Sequence, residues 1–321
     1  MRTRAVDEAA ARERAAMVRT LAEDGAFDDD PAWRPAFEAV PRHLFVPYYY
    51  TGVMGGHRRL WGEDPDPGRR AEWLRGAYTD APLATRLRDG ELVSSSSQPS
   101  LMARMLAWLQ AADGHRVLEI GAGTGYNAAL LAYRLGEERV TTVDLEPEIT
   151  EGARAHLDAA GLHPAVVTGD GARGCPRDAP YDRIIATCAL DDVPRPWLAQ
   201  CRPGARVLTP FGTGLLALRV AGAARAEGRF LATPAYFVPL RGGPRRAAPR
   251  DGGVRLPGRA LRSDGFRFLL ALASAAADPG DLYRVWEEQG RPERERYGIS
   301  VDGTRAWAWL DAPEGPHTWP L

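Results

Sequence analysis

The stretch "VLEIGAGTGYNAALL", Val117 to Leu131, constrains the fold more than any other part of this 321-residue chain. An apolar run enters a glycine-rich turn, and a helix-forming run leaves it. From there the pattern alternates. "RVTTVD" precedes a helix over Glu148–Ala160, "AVVTGD" precedes a glycine-broken turn, "YDRIIATC" precedes a helix near Pro196–Gln200, and "ARVLTP" follows. Such alternation predicts a parallel sheet with helices on both faces. Open sheets of this kind bind ligands at the carboxyl ends of their strands.

What the turn holds is narrowed by its spacing. Gly121, Gly123 and Gly125 form G-x-G-x-G. The dinucleotide fingerprint needs G-x-G-x-x-G, and Tyr126, followed by Asn127, stands where that spacing requires glycine. A phosphate-cradling P-loop needs a lysine, and the chain has none. Asp144 ends the second strand, where an acid takes ribose hydroxyls. Asp170 ends the third and is placed to accept from an adenine amino group. Either acid also reads as a local cap or turn residue. Together at successive strand ends they favour a nucleoside ligand. Glu119 lies inside the first strand and needs a partner there; a ligand ammonium and the turn amides are the candidates.

Composition excludes several alternatives. The net charge of −1 gives no global field for nucleic acid. Cys175, Cys188 and Cys201 form no C-x-x-C pair, and the six histidines lack ligand spacing, so no metal site is expected. The N-terminal "MRTRAVDEAAARERAAMVRTL" lacks the apolar core of a signal peptide. No run of about 18 apolar residues is long enough for a membrane span. A soluble, cytoplasmic protein is expected.

Around the alternating segment, a helix is predicted over Val6–Ala22, with Met17, Val18 and Leu21 on its apolar face, and a short one over Trp33–Val40. Thr51–Gly76, rich in Gly, Pro, Arg and Trp, reads as a functional loop or lid. "GELVSSSSQPSLMARMLAWL" puts a serine run before a helix. "LLALRV" and "RFLATPAYFVPL" suggest a hairpin at the sheet edge. Arg241–Gly253 reads as a solvated linker. Helices are expected over Phe266–Ala275 and Leu282–Gln289, and Trp307 and Trp309 on one strand face.

With "VPRHLFVP", "AYTDAPL", "SQPSLMARML", "VLEIGAGTGYNAALLA", "GDGARG", "APYDRIIATCAL" and "VPRPWLAQCRPGARVLTPFG" in this order over Val40–Gly212, the chain resembles the protein-L-isoaspartate O-methyltransferase family. The resemblance implies a Rossmann-like class I S-adenosylmethionine-dependent methyltransferase. Its sheet would be mostly parallel and doubly wound, after an N-terminal helical region and before a C-terminal extension. S-adenosyl-L-methionine is the implied cofactor, S-adenosyl-L-homocysteine its product, and a protein or peptide Asp or isoAsp carboxylate the acceptor. By resemblance the turn Gly121, Ala122, Gly123, Thr124 and Gly125 lies beside the methionyl part, with Glu119 and Asn127. Asp144 and Leu145 serve the ribose side, and Asp170 and Gly171 the adenine. Ser97 faces the acceptor carboxylate, with Ser96 and Ser95 as further hydroxyls beside Ser94.

Two departures concern the acceptor side. "ELVSSS" stands between Gly90 and Ser97-Gln98-Pro99, and the chain runs about 100 residues past the family core. The four-serine element looks closer to a branch found with ATP-grasp enzymes of ribosomal-peptide (graspetide) pathways. There the acceptor is an aspartate of a crosslinked precursor peptide, and the ester closes to an aspartimide. The expected division is residues 1–100 for the N-terminal, substrate-side region, 101–240 for cofactor binding, and 241–321 for an extension serving substrate recognition or packing.

Overall fold

The computed structural model describes residues 4–53, 56–242 and 256–321. The expected linker lies almost wholly outside them. The chain forms two compact units, Met1–Gly169 and Asp170–Leu321.

The first unit begins with helix α1 (Arg4–Glu23), which buries Met17, Val18 and Leu21, and α2 (Arg34–Ala39). Strands β1 (Tyr48–Val53) and β2 (Gly56–Trp61) follow, then α3 (Pro67–Ala77), β3 (Leu83–Arg88), β4 (Glu91–Ser96) and α4 (Pro99–Leu109). The four strands make an antiparallel sheet in the order β2-β1-β3-β4. Thr51–Gly76 is therefore a hairpin strand and a helix, not a loop or lid. Asp66 caps α3 by accepting from the Gly68 amide at 2.7 Å, with Pro67 at the first helical position. The serine run forms the end of strand β4, with Leu83 opposite Ser96 and Ala84 opposite Ser95.

The rest of this unit is the alternating segment: β5 (Val117–Ile120), α5 (Tyr126–Leu135), β6 (Val140–Asp144), α6 (Pro147–Ala159) and β7 (Ala165–Thr168). β6 pairs in parallel with both β5 and β7. β5 and β6 are buried along their whole length, as strands covered on both faces must be. Met105, Leu106 and Leu109 of α4 and Ala128–Leu131 of α5 are buried with them.

The second unit carries β8 (Tyr181–Ala186), α7 (Arg195–Ala199), β9 (Cys201–Phe211), β10 (Gly214–Gly222) and β11 (Arg225–Pro234). Then come α8 (Gly258–Arg262), α9 (Asp264–Ala273), α10 (Pro279–Glu288), β12 (Tyr297–Asp302), β13 (Arg305–Leu310) and β14 (Thr318–Pro320). β8 and β9 are parallel, and each later strand is antiparallel to the one before. The β10–β11 hairpin is real but not at an edge, because β12 pairs with β11. An aromatic row holds the unit together: Phe211 on Phe230, Phe230 on Phe268 at 4.8 Å, Phe268 on Tyr297, and Tyr297 beside Trp319. Each such buried ring contributes roughly 1.5–3 kcal/mol through burial. Trp309 is core, whereas Trp307 is half-buried and donates to the Pro313 carbonyl. Among the described residues, no helix is long and apolar enough to cross a membrane.

Candidate functional site

The chain leaves β5 through backbone that L-residues resist. Gly121, Gly123 and Gly125 have φ of 97°, 51° and 86°. The amides of Gly121 and Ala122 donate to the Val143 carbonyl at 2.8 and 3.2 Å, which hooks the turn over the end of β6. A side chain on Gly125 would meet the Ala153 carbonyl of α6 at 3.3 Å. At Gly123 it would face the Ser95 carbonyl at 3.6 Å and the Ser94 hydroxyl at 3.8 Å. The serine strand and the glycine turn, which α4 and β5 separate in the sequence, therefore lie side by side.

Asp144 ends β6 and is buried. One carboxylate oxygen accepts from the Gly123 amide at 3.1 Å, the other from the Leu145 amide at 2.8 Å. It is not the cap of α6, a position that Glu146 holds. Leu145 is among the exposed large apolar side chains.

Glu119 is fully buried. Its protein partners are not the turn amides: Thr142 donates from its hydroxyl at 2.6 Å and Asn127 from its amide at 2.7 Å. Burial pushes the carboxyl up to about 7, against the pull of those two hydrogen bonds and with a small push from Asp144. The Asn127 side-chain oxygen is buried with no partner.

The serines divide. Ser95 and Ser97 are half-buried, Ser94 and Ser96 buried. Ser94 accepts from the Thr85 hydroxyl at 3.4 Å. Ser96 and the Ser97 carbonyl both receive the guanidinium of Arg42, at 3.5 and 3.1 Å. That arginine is fully buried and also donates to the carbonyls of Ala77, Thr79 and Ala81, each at 3.0 Å. It lies 5.9 Å from the Tyr126 ring centre, at the start of α5. Among the described residues no carboxylate is hydrogen-bonded to it, and burial lowers it to about 10. Arg42 thus ties the "AYTDA" segment to the end of the serine strand. Asp80, in that segment, accepts from the Ser100 amide at 2.8 Å and from the Gln98 side chain at 3.0 Å. Sequence reasoning missed both; the signal was an arginine set among apolar residues in "VPRHLFVP".

A cleft of about 230 Å³ opens beside the turn, lined by Ser94, Gly123, Thr124, Arg86, Tyr48 and His156 among others. His156 bonds through Nδ1 to the Thr124 carbonyl at 2.9 Å. A carbonyl only accepts, so Nδ1 carries the proton. Burial holds the imidazole below its usual range.

Asp170 opens the second unit. It caps a short 3₁₀ turn over Gly171–Arg173 by accepting from the Ala172 amide at 2.9 Å. Trp197 donates to the Gly171 carbonyl at 2.7 Å. Among the described residues, no group of three or more His, Cys, Asp or Glu side chains is arranged to hold a metal.

Residues 69–242 match the family model described as protein-L-isoaspartate(D-aspartate) O-methyltransferase. The chain belongs to this family. A protein-L-isoaspartate O-methyltransferase of Hyperthermus butylicus is 33% identical over 70% of this chain and 87% of its own length. One from Thermotoga maritima is 43% identical over 44% of this chain, and the match spans 45% of that relative's length. Among solved structures, a protein-L-isoaspartate O-methyltransferase superposes over 96% of this chain and 99% of its own, with a TM-score of 0.62 at 23% identity. A Plasmodium falciparum relative, solved with S-adenosyl-L-homocysteine, covers 71% of this chain and 98% of its own, with a TM-score of 0.53 at 14% identity. The fold is that of class I S-adenosylmethionine-dependent methyltransferases, and the family consists of carboxyl methyltransferases that use this cofactor.

Proposed function

We propose that the chain transfers a methyl group from S-adenosylmethionine to the free carboxylate of an isoaspartyl residue in a protein or peptide. The observation that carries this reading is the contact between the serine strand and the glycine turn at Gly123. It brings the Ser94 hydroxyl and the Ser95 backbone to the carboxyl end of β5, where a methyl donor belongs in this fold, and Ser97 follows in the same serine run.

The residues present suit the cofactor. The left-handed glycines bring bare backbone to the end of β5, the Asp144 carboxylate stands beside that turn, and the buried Asn127 oxygen lacks a donor among the described residues. Gly121 through Gly125 and Asn127 would hold the methionyl part. Asp144 and Leu145 would hold the ribose, and Asp170 and Gly171 the adenine. When bound, the cofactor supplies an electrophilic methyl group on a sulfonium.

The acceptor needs no base. A carboxylate has a reference pKa of about 4, so it is ionised at neutral pH. Alignment of oxygen, carbon and sulfur in line is what remains, and such positioning contributes about 7–11 kcal/mol to well-oriented reactions. Ser97, with Ser95 beside it, orients the carboxylate without clamping its charge. Ser96 is engaged by Arg42 and supports the strand instead. In this reading residues 1–100 serve the acceptor, 101–240 the cofactor, and 241–321 substrate recognition or packing.

A narrower reading, an aspartate in a crosslinked ribosomal peptide, rests on the four-serine element and the extension. The relatives above carry the isoaspartyl name, so that acceptor leads. Incubation with methyl-labelled cofactor and paired peptides, one isoaspartyl and one aspartyl, tests this. Label on the isoaspartyl peptide alone supports the reading; label on the aspartyl peptide alone contradicts it.

A further inference from the structure

Helix α4, which follows Ser97, starts without a cap of its own. Gln98 is its N-cap residue and makes no side-chain capping bond; glutamine is not among the residues that cap well. Pro99, at the first helical position, has no N–H, so the Ser100 amide is the first that needs an acceptor. That acceptor comes from another segment. Asp80 takes the Ser100 amide on one carboxylate oxygen, at 2.8 Å, and the Gln98 side-chain amide on the other, at 3.0 Å. The same Gln98 nitrogen also donates to the Ser100 hydroxyl at 3.0 Å.

Asp80 is itself held in place. Arg42 grips the carbonyls on either side of it, Thr79 and Ala81, at 3.0 Å each, and the Ser97 carbonyl at 3.1 Å. Ser97 therefore lies between two anchors: its own carbonyl on Arg42, and Gln98 and Ser100 on Asp80. The neighbouring hydroxyls are committed, Ser96 to Arg42 and Ser100 to Gln98. The Ser97 hydroxyl has no hydrogen bond among the described residues. A serine that caps a helix spends its hydroxyl on a helix amide. With Asp80 as the remote cap, the Ser97 backbone is fixed and its hydroxyl stays available.

We propose that Asp80 is a positioning residue for methyl transfer: it caps α4 from a distance and thereby sets the Ser97 hydroxyl for the acceptor carboxylate. Asp80 acts through Ser97, and the proposal rests on the reading that Ser97 orients an isoaspartyl acceptor. The test is a double-mutant cycle on the full chain, with turnover of an isoaspartyl peptide and affinity for S-adenosylhomocysteine as readouts. Asp80→Ala should lower the turnover number about tenfold and keep cofactor affinity within about twofold. Asp80→Asn keeps an oxygen for the Ser100 amide and should hold turnover within about threefold of wild type. Asp80→Ala/Ser97→Ala should be no slower than Ser97→Ala alone, because the two residues act as one unit. Gln98→Ala breaks one of the two Asp80 bonds, should lower turnover about threefold, and repeats the cycle in a chain that keeps the Ser100 cap. Asp278→Ala is the control. It removes a cap of the same build from α10, where Asp278 accepts from the Gly280 amide at 2.8 Å and Pro279 opens the helix, and it should leave turnover unchanged. Losses that multiply in the double variants, or full turnover in Asp80→Ala, overturn the proposal. Amide hydrogen exchange needs no activity. Asp80→Ala should speed exchange at the start of α4 at least about tenfold and leave the glycine turn as it is; unchanged exchange at α4 overturns the proposal. No methyl transfer to the isoaspartyl peptide in the wild type overturns the proposed function, and the exchange result still decides whether Asp80 fixes the start of α4.

Discussion

The glycine turn, residues 121–125, and the serine strand, residues 94–97, meet at Gly123, yet they are held in opposite ways. The turn is shaped by its own backbone, with left-handed φ at three glycines, and is pinned to the neighbouring strand β6 through the Val143 carbonyl and the Asp144 carboxylate. The strand is held from outside, by one pairing partner, β3, and by a buried guanidinium from residue 42. The cofactor side of this site is thus specified locally and the acceptor side remotely. An acceptor side of that kind changes by altering distant segments while the turn stays as it is.

The sharpest break of that comparison is Arg42→Met. It strips the charged donor from the carbonyls of Ala77, Thr79, Ala81 and Ser97 and should cost about 3–5 kcal/mol, because each buried acceptor left unsatisfied costs about 1–3 kcal/mol and Met packing recovers part of that. Chemical denaturation measures it. A cost below about 1 kcal/mol would mean that the strand holds itself. Next comes Asp144→Ala, which removes the brace on Gly123 and the proposed ribose contact together. Affinity for S-adenosylhomocysteine should fall by about a hundredfold in calorimetry. Unchanged affinity would remove Asp144 from the cofactor side.

Ser97→Ala sharpens the contrast from the acceptor side. It should lower methyl transfer by about tenfold while cofactor affinity stays within about twofold. Equal loss of both would deny that the two sides are separately built. The smallest effect belongs to Glu119→Gln. The folded carboxyl titrates at about 7, above its ordinary value of 4.5. Between those values the folded state binds a proton that the unfolded state does not, so stability falls as pH rises from about 4.5 to about 7. Glu119→Gln should flatten the melting temperature across that window. An unchanged slope would place the titrating group elsewhere.

The same contrast explains what the sequence made legible. The turn could be read because few residues other than glycine populate positive φ, and because strand, turn and helix follow one another without interruption. Asp144 and Asp170 could be located by counting strand ends. The serine run was not legible as a strand because serine carries no strand preference, and its register comes from Leu83 and Ala84 rather than from itself. Arg42 escaped notice because an arginine reads as surface until the carbonyls around it are known. Thr51–Gly76 read as a lid on composition alone, although a hairpin strand and a capped helix occupy it. The partners of Glu119, Thr142 and Asn127, come from two different elements that only the folded sheet brings together.

One measurement bears most directly on the claim that turn and strand form a single carboxyl-methylating site. Transfer of labelled methyl from S-adenosylmethionine to an isoaspartyl peptide should be followed in the wild type, Ser97→Ala and Asp144→Ala. The site described here predicts base-labile label in the wild type. In Ser97→Ala the turnover number falls with cofactor affinity intact. In Asp144→Ala cofactor affinity is lost first. No label on the isoaspartyl peptide, with the cofactor bound normally, would contradict it.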